Sequence, residues 1–112
     1  LWLQKLDSKK FFTNFNLNGF SNYAFILIMQ EEYKEKFDKV CNILQDEDIE
    51  FRIGSAGGGN QSMQPYLKNY EYKIVGSLKN TNHIHSYGLY LGNHDNVTDS
   101  NIINICEKLN KI

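Results

Sequence analysis

The 112-residue sequence is poor in the residues that identify several classes of small protein. It has only two cysteines and one proline. Two cysteines are too few for a disulfide-stabilised scaffold, and no paired Cys or His spacing suits a zinc site. We therefore expect Cys41 and Cys106 to be small, buried side chains in the core of a reduced, cytoplasmic protein.

Long apolar runs and an excess of charge are also missing. The run Tyr23–Met29 is far shorter than the ~20 residues of a membrane-spanning helix. The formal net charge is −1 and the pI is about 6.3, so we expect no general attraction to nucleic acid or anionic membranes. The start Leu-Trp-Leu-Gln-Lys has neither an initiator Met nor a signal-peptide pattern, which predicts a fragment of a longer protein.

The apolar pattern predicts alternating strands and helices. A continuous apolar run predicts a strand buried on both faces at 23–29, and helical spacing predicts helices at 31–45 and 99–110, the second capped by Thr98. These elements indicate an α+β fold of two layers, with a small, mostly antiparallel sheet and helices on one face. The other predicted elements are a helical end at 1–12, a connector at 13–22, a strand at 49–53, a short helix at 62–67, an extended segment at 70–75, a helix from Ser77 to Tyr87 that Gly88 ends, and a strand at 89–91.

A loop with three successive glycines follows the strand predicted at 49–53. Glycine suits positions where the backbone passes close to another group or needs a positive φ, so the loop serves a tight turn or a ligand. Asn60 follows the glycines, either as an amide donor to a ligand or in a mobile surface loop. Arg52, the only arginine, precedes them. A guanidinium binds phosphate or carboxylate through two hydrogen bonds, and a cross-strand ion pair is the alternative.

Histidines occur near the predicted end of a helix and after the last strand. His83 and His85, two residues apart, point to different sides of a helix and do not suit a shared metal. We expect His85 to be a partly buried structural residue. Asn93 and His94 follow a strand, where ligand-binding residues gather. The alternative is a turn with Asn93 left-handed and His94 solvated.

Four motifs follow one another in a recognisable order: Ile49-Glu50-Phe51-Arg52, Gly59-Asn60 with Gln64-Pro65, Val75–Thr81, and His85–His94. Together they resemble the C-terminal domain of the pyridoxal-phosphate-dependent nucleotide-sugar aminotransferases of the DegT/DnrJ/EryC1/StrS type, and the sequence of these motifs is closest to the 4-keto-6-deoxyhexose 3-dehydratase branch. Two positions depart from that pattern: Ile53 stands where the family usually has proline, and Met63 where it often has arginine. The second departure bears on the substrate class.

The resemblance implies a homodimeric enzyme whose large N-terminal domain binds pyridoxal phosphate and carries the reactive residue. Residues 1–22 would be the end of a helix and a connector from that domain, and 23–112 the small C-terminal domain that closes over the substrate. It assigns no catalytic, cofactor-binding or metal-binding residue to this chain. The predicted contacts to the nucleotide-sugar are Arg52, Asn60, Asn93 and His94.

The implied reaction is transamination or 3-dehydration of a nucleotide-linked 4-keto-6-deoxyhexose. It would serve synthesis of deoxy- or aminosugars for lipopolysaccharide O-antigen, and the fragment alone would be inactive. Trp2, Phe11 and Phe12 would then face the missing domain. The alternative, from another class, is a free-standing α+β binding or regulatory module whose glycine-rich loop holds an anionic ligand.

Overall fold

The computed structural model describes residues 1–56 and 59–112, with Ser55 described by its backbone alone. Gly57 and Gly58 of the predicted loop lie outside the described residues. Three strands form one antiparallel sheet in the order β1-β3-β2, which confirms the predicted α+β fold. The elements of the described ranges are α1 (Trp2–Lys5), β1 (Ala24–Ile28), α2 (Phe37–Asp46), β2 (Phe51–Ile53), α3 (Lys79–Tyr87), β3 (Gly88–Gly92) and α4 (Asp99–Leu109), with 3₁₀ turns at Glu31–Lys36, Gly54–Ala56, Gln61–Met63 and Pro65–Asn69.

One face of the sheet packs against α2 and α4 and forms the core. The register pairs Leu27 with Leu89 on β3, and Phe51 with Leu91. Since directly opposed residues share a face, these side chains point to the same layer. The fully buried side chains show how completely the helices cover this face: Phe11, Leu27, Met29, Val40, Leu44, Cys106 and Leu109.

The N-terminal segment completes this core. Trp2 and Phe11 are 5% and 0% exposed, the Trp2 indole donates to the Ile26 carbonyl at 2.8 Å, and Phe11 bridges to Met29 beside β1. The prediction that both rings face outward is therefore wrong, because the sheet needs these apolar side chains to close its own core. Phe12 is 38% exposed. The domain boundary at residue 22 stays a prediction.

Several element boundaries differ from the sequence prediction. The first helix ends at Lys5, not near residue 12, because Leu6 has extended backbone. The strand predicted at 49–53 is restricted to Phe51–Ile53, and the helix at 62–67 consists of two 3₁₀ turns. The segment at 70–75 is not part of the sheet.

Helix termini show which capping predictions were correct. Thr98 caps α4, and its hydroxyl and the Asn101 side chain form a reciprocal capping box. Leu78, not Ser77, is the N-cap of α3, although the Ser77 hydroxyl accepts the Lys79 N–H at 3.3 Å. Gly88 ends α3 because it passes directly into extended backbone.

The prediction that both cysteines are buried is confirmed for Cys106 but only in part for Cys41. Cys106 is buried, Cys41 is partly buried, and both are free thiols. Burial raises the pKa of the Cys106 thiol to about 11, and burial, with a smaller effect of Asp38, also raises the pKa of Cys41. In the described part of the chain, every helix is too short or too polar to cross a bilayer.

Candidate functional site

A cavity of about 610 Å³ opens where β2 and β3 meet the first turns of α4. Two of the four predicted substrate contacts, Arg52 and His94, line it. Such a mixture of aromatic walls with a few polar groups is typical of small-molecule sites. Its other polar lining comes from Glu47, Asp48, Glu50, Asn96, Asn101 and Asn104, and its aromatic lining from Trp2, Phe25, Phe51 and Tyr90.

Arg52 lies on the edge strand β2 with its side chain largely in solvent. Its guanidinium approaches the Glu50 carboxylate at 3.3 Å, and both side chains are more than half exposed. The ion pair thus joins Arg52 to the residue immediately before β2, and not to a residue on a neighbouring strand as the sequence alternative had it. Because exposed ion pairs contribute little free energy, an anionic ligand can displace Glu50 from the guanidinium.

Arg52 also lies opposite Tyr90 in the sheet register. The Tyr23 ring packs near the Tyr90 ring, with centroids 6.1 Å apart. The hydrogen bond to Tyr90 raises the pKa of Tyr23, while the charge of Arg52 acts in the opposite direction. Two phenols and one guanidinium therefore lie close together at this end of the sheet.

His94 is exposed on the turn that follows β3. The Val97 N–H donates to its carbonyl at 2.9 Å and closes the turn. The sequence alternative, a left-handed backbone at Asn93, is wrong. Among the described residues other than glycine, a positive φ occurs at Asp48 and not at Asn93. The Asn93 amide donates to the Asn22 carbonyl at 2.8 Å and lines a separate cavity of about 410 Å³.

Asn60 is buried, 4% exposed, and its amide is used inside the chain. Its Oδ1 accepts from the N–H and the hydroxyl of Ser62 at 2.9 and 2.7 Å, and its Nδ2 donates to Asn82 Oδ1 at 2.5 Å. Asn60 thus caps the 3₁₀ turn at Gln61–Met63 and ties it to α3. It does not line the Arg52–His94 cavity, so the structure does not bring the four predicted contacts together.

Gly59, next to Asn60, and Gly54 are explained by the close approach of His85 on α3. A Cβ on Gly59 would lie 2.3 Å from His85 Nδ1, and one on Gly54 would lie 2.4 Å from the His85 carbonyl oxygen. The Asn60 N–H donates to His85 Nδ1 at 3.1 Å. The prediction of a close backbone approach is confirmed at Gly59, the described glycine of the loop, and the prediction of a partly buried, structural His85 is also confirmed.

His83 has a structural role that the sequence analysis did not find. Its Nε2 donates to the Met29 carbonyl at 2.7 Å, and its Nδ1 lies 3.0 Å from Glu31 Oε2. A hydrogen bond from Lys34 lowers the pKa of Glu31, with a smaller contribution from His83. No local pattern signals a contact between residues 52 positions apart in the sequence.

A pyridoxal phosphate site requires a lysine or its replacement next to phosphate donors, and the three lysines with ion pairs in the described ranges are already bound to groups of the chain itself. Lys10 is the lysine with the least exposed side chain among the described ion pairs, and it is held by Asp7 and by the Asn110 carbonyl. Lys34 pairs with Glu31, and Lys108 with Glu47. The described ranges also contain no cluster of three or more metal-binding side chains. We therefore assign no cofactor step to these residues.

Comparison with known proteins gives one match. A family model described as the DegT/DnrJ/EryC1/StrS aminotransferase family matches residues 3–110. Searches of curated proteins and of solved structures returned no significant match.

Proposed function

Because that match spans nearly the whole chain, the chain belongs to the DegT/DnrJ/EryC1/StrS aminotransferase family, and we propose that it is the substrate-side, C-terminal part of a nucleotide-sugar enzyme. Aminotransferases of this family generally depend on pyridoxal phosphate. The cofactor would be held by residues outside this chain, and the chain alone would be inactive. The observation that carries the proposal is the cavity that Arg52 and His94 share.

The proposed substrate is a nucleotide-linked 4-keto-6-deoxyhexose, and the reaction is transamination or, for the 3-dehydratase branch, loss of the C3 hydroxyl. Arg52 would bind the diphosphate through its guanidinium, and His94 would donate a hydrogen bond to the phosphate or the sugar. The products would supply deoxy- or aminosugars for surface polysaccharide. The roles predicted for Asn60 and Asn93 stay predictions.

The described part of the glycine-rich loop does not favour the alternative of an anion-binding module. An anion site in such a loop would need backbone N–H groups directed at the ligand. The Asn60 N–H is bonded to His85, and the Gly59 N–H donates to the Gly54 carbonyl at 2.8 Å. Both groups are satisfied within the chain.

Kinetics of Arg52→Lys and His94→Ala in the full natural protein test this assignment. A lysine cannot make the two parallel hydrogen bonds of a guanidinium, so we expect KM for the nucleotide-sugar to rise about tenfold or more, which corresponds to ~1.4 kcal/mol of lost binding. Asp95→Ala is the matched control, because Asp95 lies on the same turn as His94 but does not line the cavity. Thermal denaturation should show unchanged folding of all three variants.

Two results would contradict the proposal. If kcat/KM of both site variants stays within twofold of the unsubstituted protein, Arg52 and His94 do not contact the substrate. If the unsubstituted protein, supplied with pyridoxal phosphate and an amino donor, converts no nucleotide-linked ketosugar, the proposed activity itself is wrong.

A further inference from the structure

Residues 70–74 have the sequence of a strand but pair with no other strand in the part of the chain that the structure describes. Apolar Tyr70, Tyr72 and Ile74 alternate with charged Glu71 and Lys73, which is the pattern of a half-buried strand. The three apolar side chains are 69%, 52% and 51% exposed. Within the described ranges the backbone of 71–75 makes no hydrogen bond, and Gly76, with φ +79°, ends the segment.

The order of charges makes this segment complementary to itself. In an antiparallel pair centred on Tyr72, each Glu71 lies directly opposite the Lys73 of the other strand, and each Tyr70 lies opposite Ile74. All apolar side chains then share one face, and both cross-strand charge pairs are of opposite sign, which stabilises antiparallel pairs. Shifting the register by one residue would place tyrosine opposite lysine and lose both matches.

We propose that residues 70–74 pair with the same segment of a second copy of this chain and form a two-stranded antiparallel ribbon about a twofold axis at Tyr72. Glu71 and Lys73 form no ion pair within the described ranges and so are free to pair across the axis. An isologous contact of this kind is the commonest way in which identical chains associate. The pairing does not depend on the enzymatic activity proposed above.

The surface around the segment can support the ribbon. The Tyr72 hydroxyl donates to the Ser62 carbonyl at 3.3 Å, which holds the segment beside the turn at Gln61–Met63. Met63 and Tyr66 add exposed apolar side chains near the segment, at 53% and 56% exposure. Because aromatic side chains bury the largest areas at interfaces, the exposed rings of Tyr66, Tyr70 and Tyr72 can contribute most of the apolar contact between the two copies.

Cysteine cross-linking in the full natural protein tests the register. At the axis, Tyr72→Cys places two thiols on directly opposed residues, whose Cα atoms are about 4.5–5.5 Å apart in antiparallel pairs and within disulfide reach. Tyr70→Cys is the matched control, because its copies would lie about 13 Å apart along the ribbon. We expect at least fivefold more disulfide-linked dimer from Tyr72→Cys than from Tyr70→Cys or the unsubstituted protein under mild oxidation.

Charge exchange tests the same pairing without cysteines. Glu71→Lys and Lys73→Glu each create two like-charge pairs, so we expect each to raise the dimer Kd about tenfold in sedimentation experiments. The double variant restores opposite charges and should return to within about threefold of the unsubstituted protein. Where another surface also holds the copies together, the Tyr72→Cys cross-link still reports the pairing.

Three outcomes would overturn the proposal. Equal cross-linking of Tyr70→Cys and Tyr72→Cys would show that the two segments touch but are not paired in the register centred on Tyr72. Failure of the double variant to recover would show that Glu71 and Lys73 do not face each other. A monomeric protein whose segment 70–74 is protected from hydrogen exchange would show that another part of the same polypeptide covers it.

Discussion

The helix-backed face of the sheet and the segment from Gln61 to Leu78 differ in how the chain covers their apolar side chains. On the sheet, Leu27 and Leu89 are buried beneath α2 and α4. In the segment, Tyr70 and Tyr72 are 69% and 52% exposed, although residues 70–74 alternate between apolar and charged as a half-buried strand does. The comparison teaches that such a pattern identifies a face to be buried but not the partner that buries it.

Removing the Phe11 ring should produce the largest effect, because this side chain completes the covered face. Phe11 is fully buried, so we expect Phe11→Ala to lower the free energy of unfolding by about 3–5 kcal/mol. Chemical denaturation measures the change. Phe12→Ala is the matched control and should cost less than about 1 kcal/mol; equal losses would mean that Phe11 does not complete the core.

Alkaline pH should weaken the covered face through Cys106. The thiol has a pKa of about 11 in the folded chain, against an ordinary value of 9.0. The folded state therefore holds the proton more tightly, and this contribution is complete below pH 9 and lost as the pH rises from 9 to about 11. At about 1.4 kcal/mol per pKa unit, the loss approaches ~3 kcal/mol.

The Cys106→Ala variant isolates this contribution from the other groups that titrate at alkaline pH. Unfolding curves at pH 8 to 11 should decline more steeply for the unsubstituted chain than for the variant. Identical pH profiles would show that burial of this thiol does not contribute to the alkaline loss of stability.

Gly59 lies at the junction between the covered face and the exposed segment. A Cβ there would lie 2.3 Å from His85 Nδ1 and 2.7 Å from the Gly54 carbonyl oxygen, so Gly59→Ala should destabilise the chain by about 1–3 kcal/mol. Gly92→Ala is the control, because its Cβ would meet no atom closer than 3.5 Å. Thermal denaturation of both variants compares them directly, and a larger loss at Gly92 would refute this explanation of Gly59.

The smallest effect is expected within the exposed segment itself. Since Tyr70 is 69% exposed, Tyr70→Ser should change the unfolding free energy of the isolated, dilute chain by less than about 0.5 kcal/mol. A loss above 2 kcal/mol would show that the segment is part of the monomer core and would remove the contrast between the two regions.

Local sequence signals predicted much of the fold. The apolar run of β1, the helical spacing of α4 and its Thr98 cap all follow from residues within one or two turns of each other. Contacts between distant residues were not predictable in this way. The Trp2 indole donates to the Ile26 carbonyl, and the His83 ring lies next to the Glu31 carboxylate. Neither contact corresponds to a periodic pattern in the sequence.

The candidate site was predictable only in part for the same reason. The run of glycines predicted that the backbone near Asn60 passes close to another group. It did not predict that this group is His85, or that the Asn60 amide donates a hydrogen bond to Asn82. The spacing of motifs likewise gave no sign that Arg52 and His94, 42 positions apart in the sequence, would line one cavity while Asn93 lines another.

Hydrogen exchange of the full natural protein, with and without a saturating nucleotide-linked 4-keto-6-deoxyhexose, tests the central claim most directly. The account predicts slower exchange at residues 50–53 and 92–97, the two segments that contribute Arg52 and His94 to the cavity lining, and unchanged exchange at 70–74. Unaltered exchange at both cavity segments, with the ligand demonstrably bound, would contradict it.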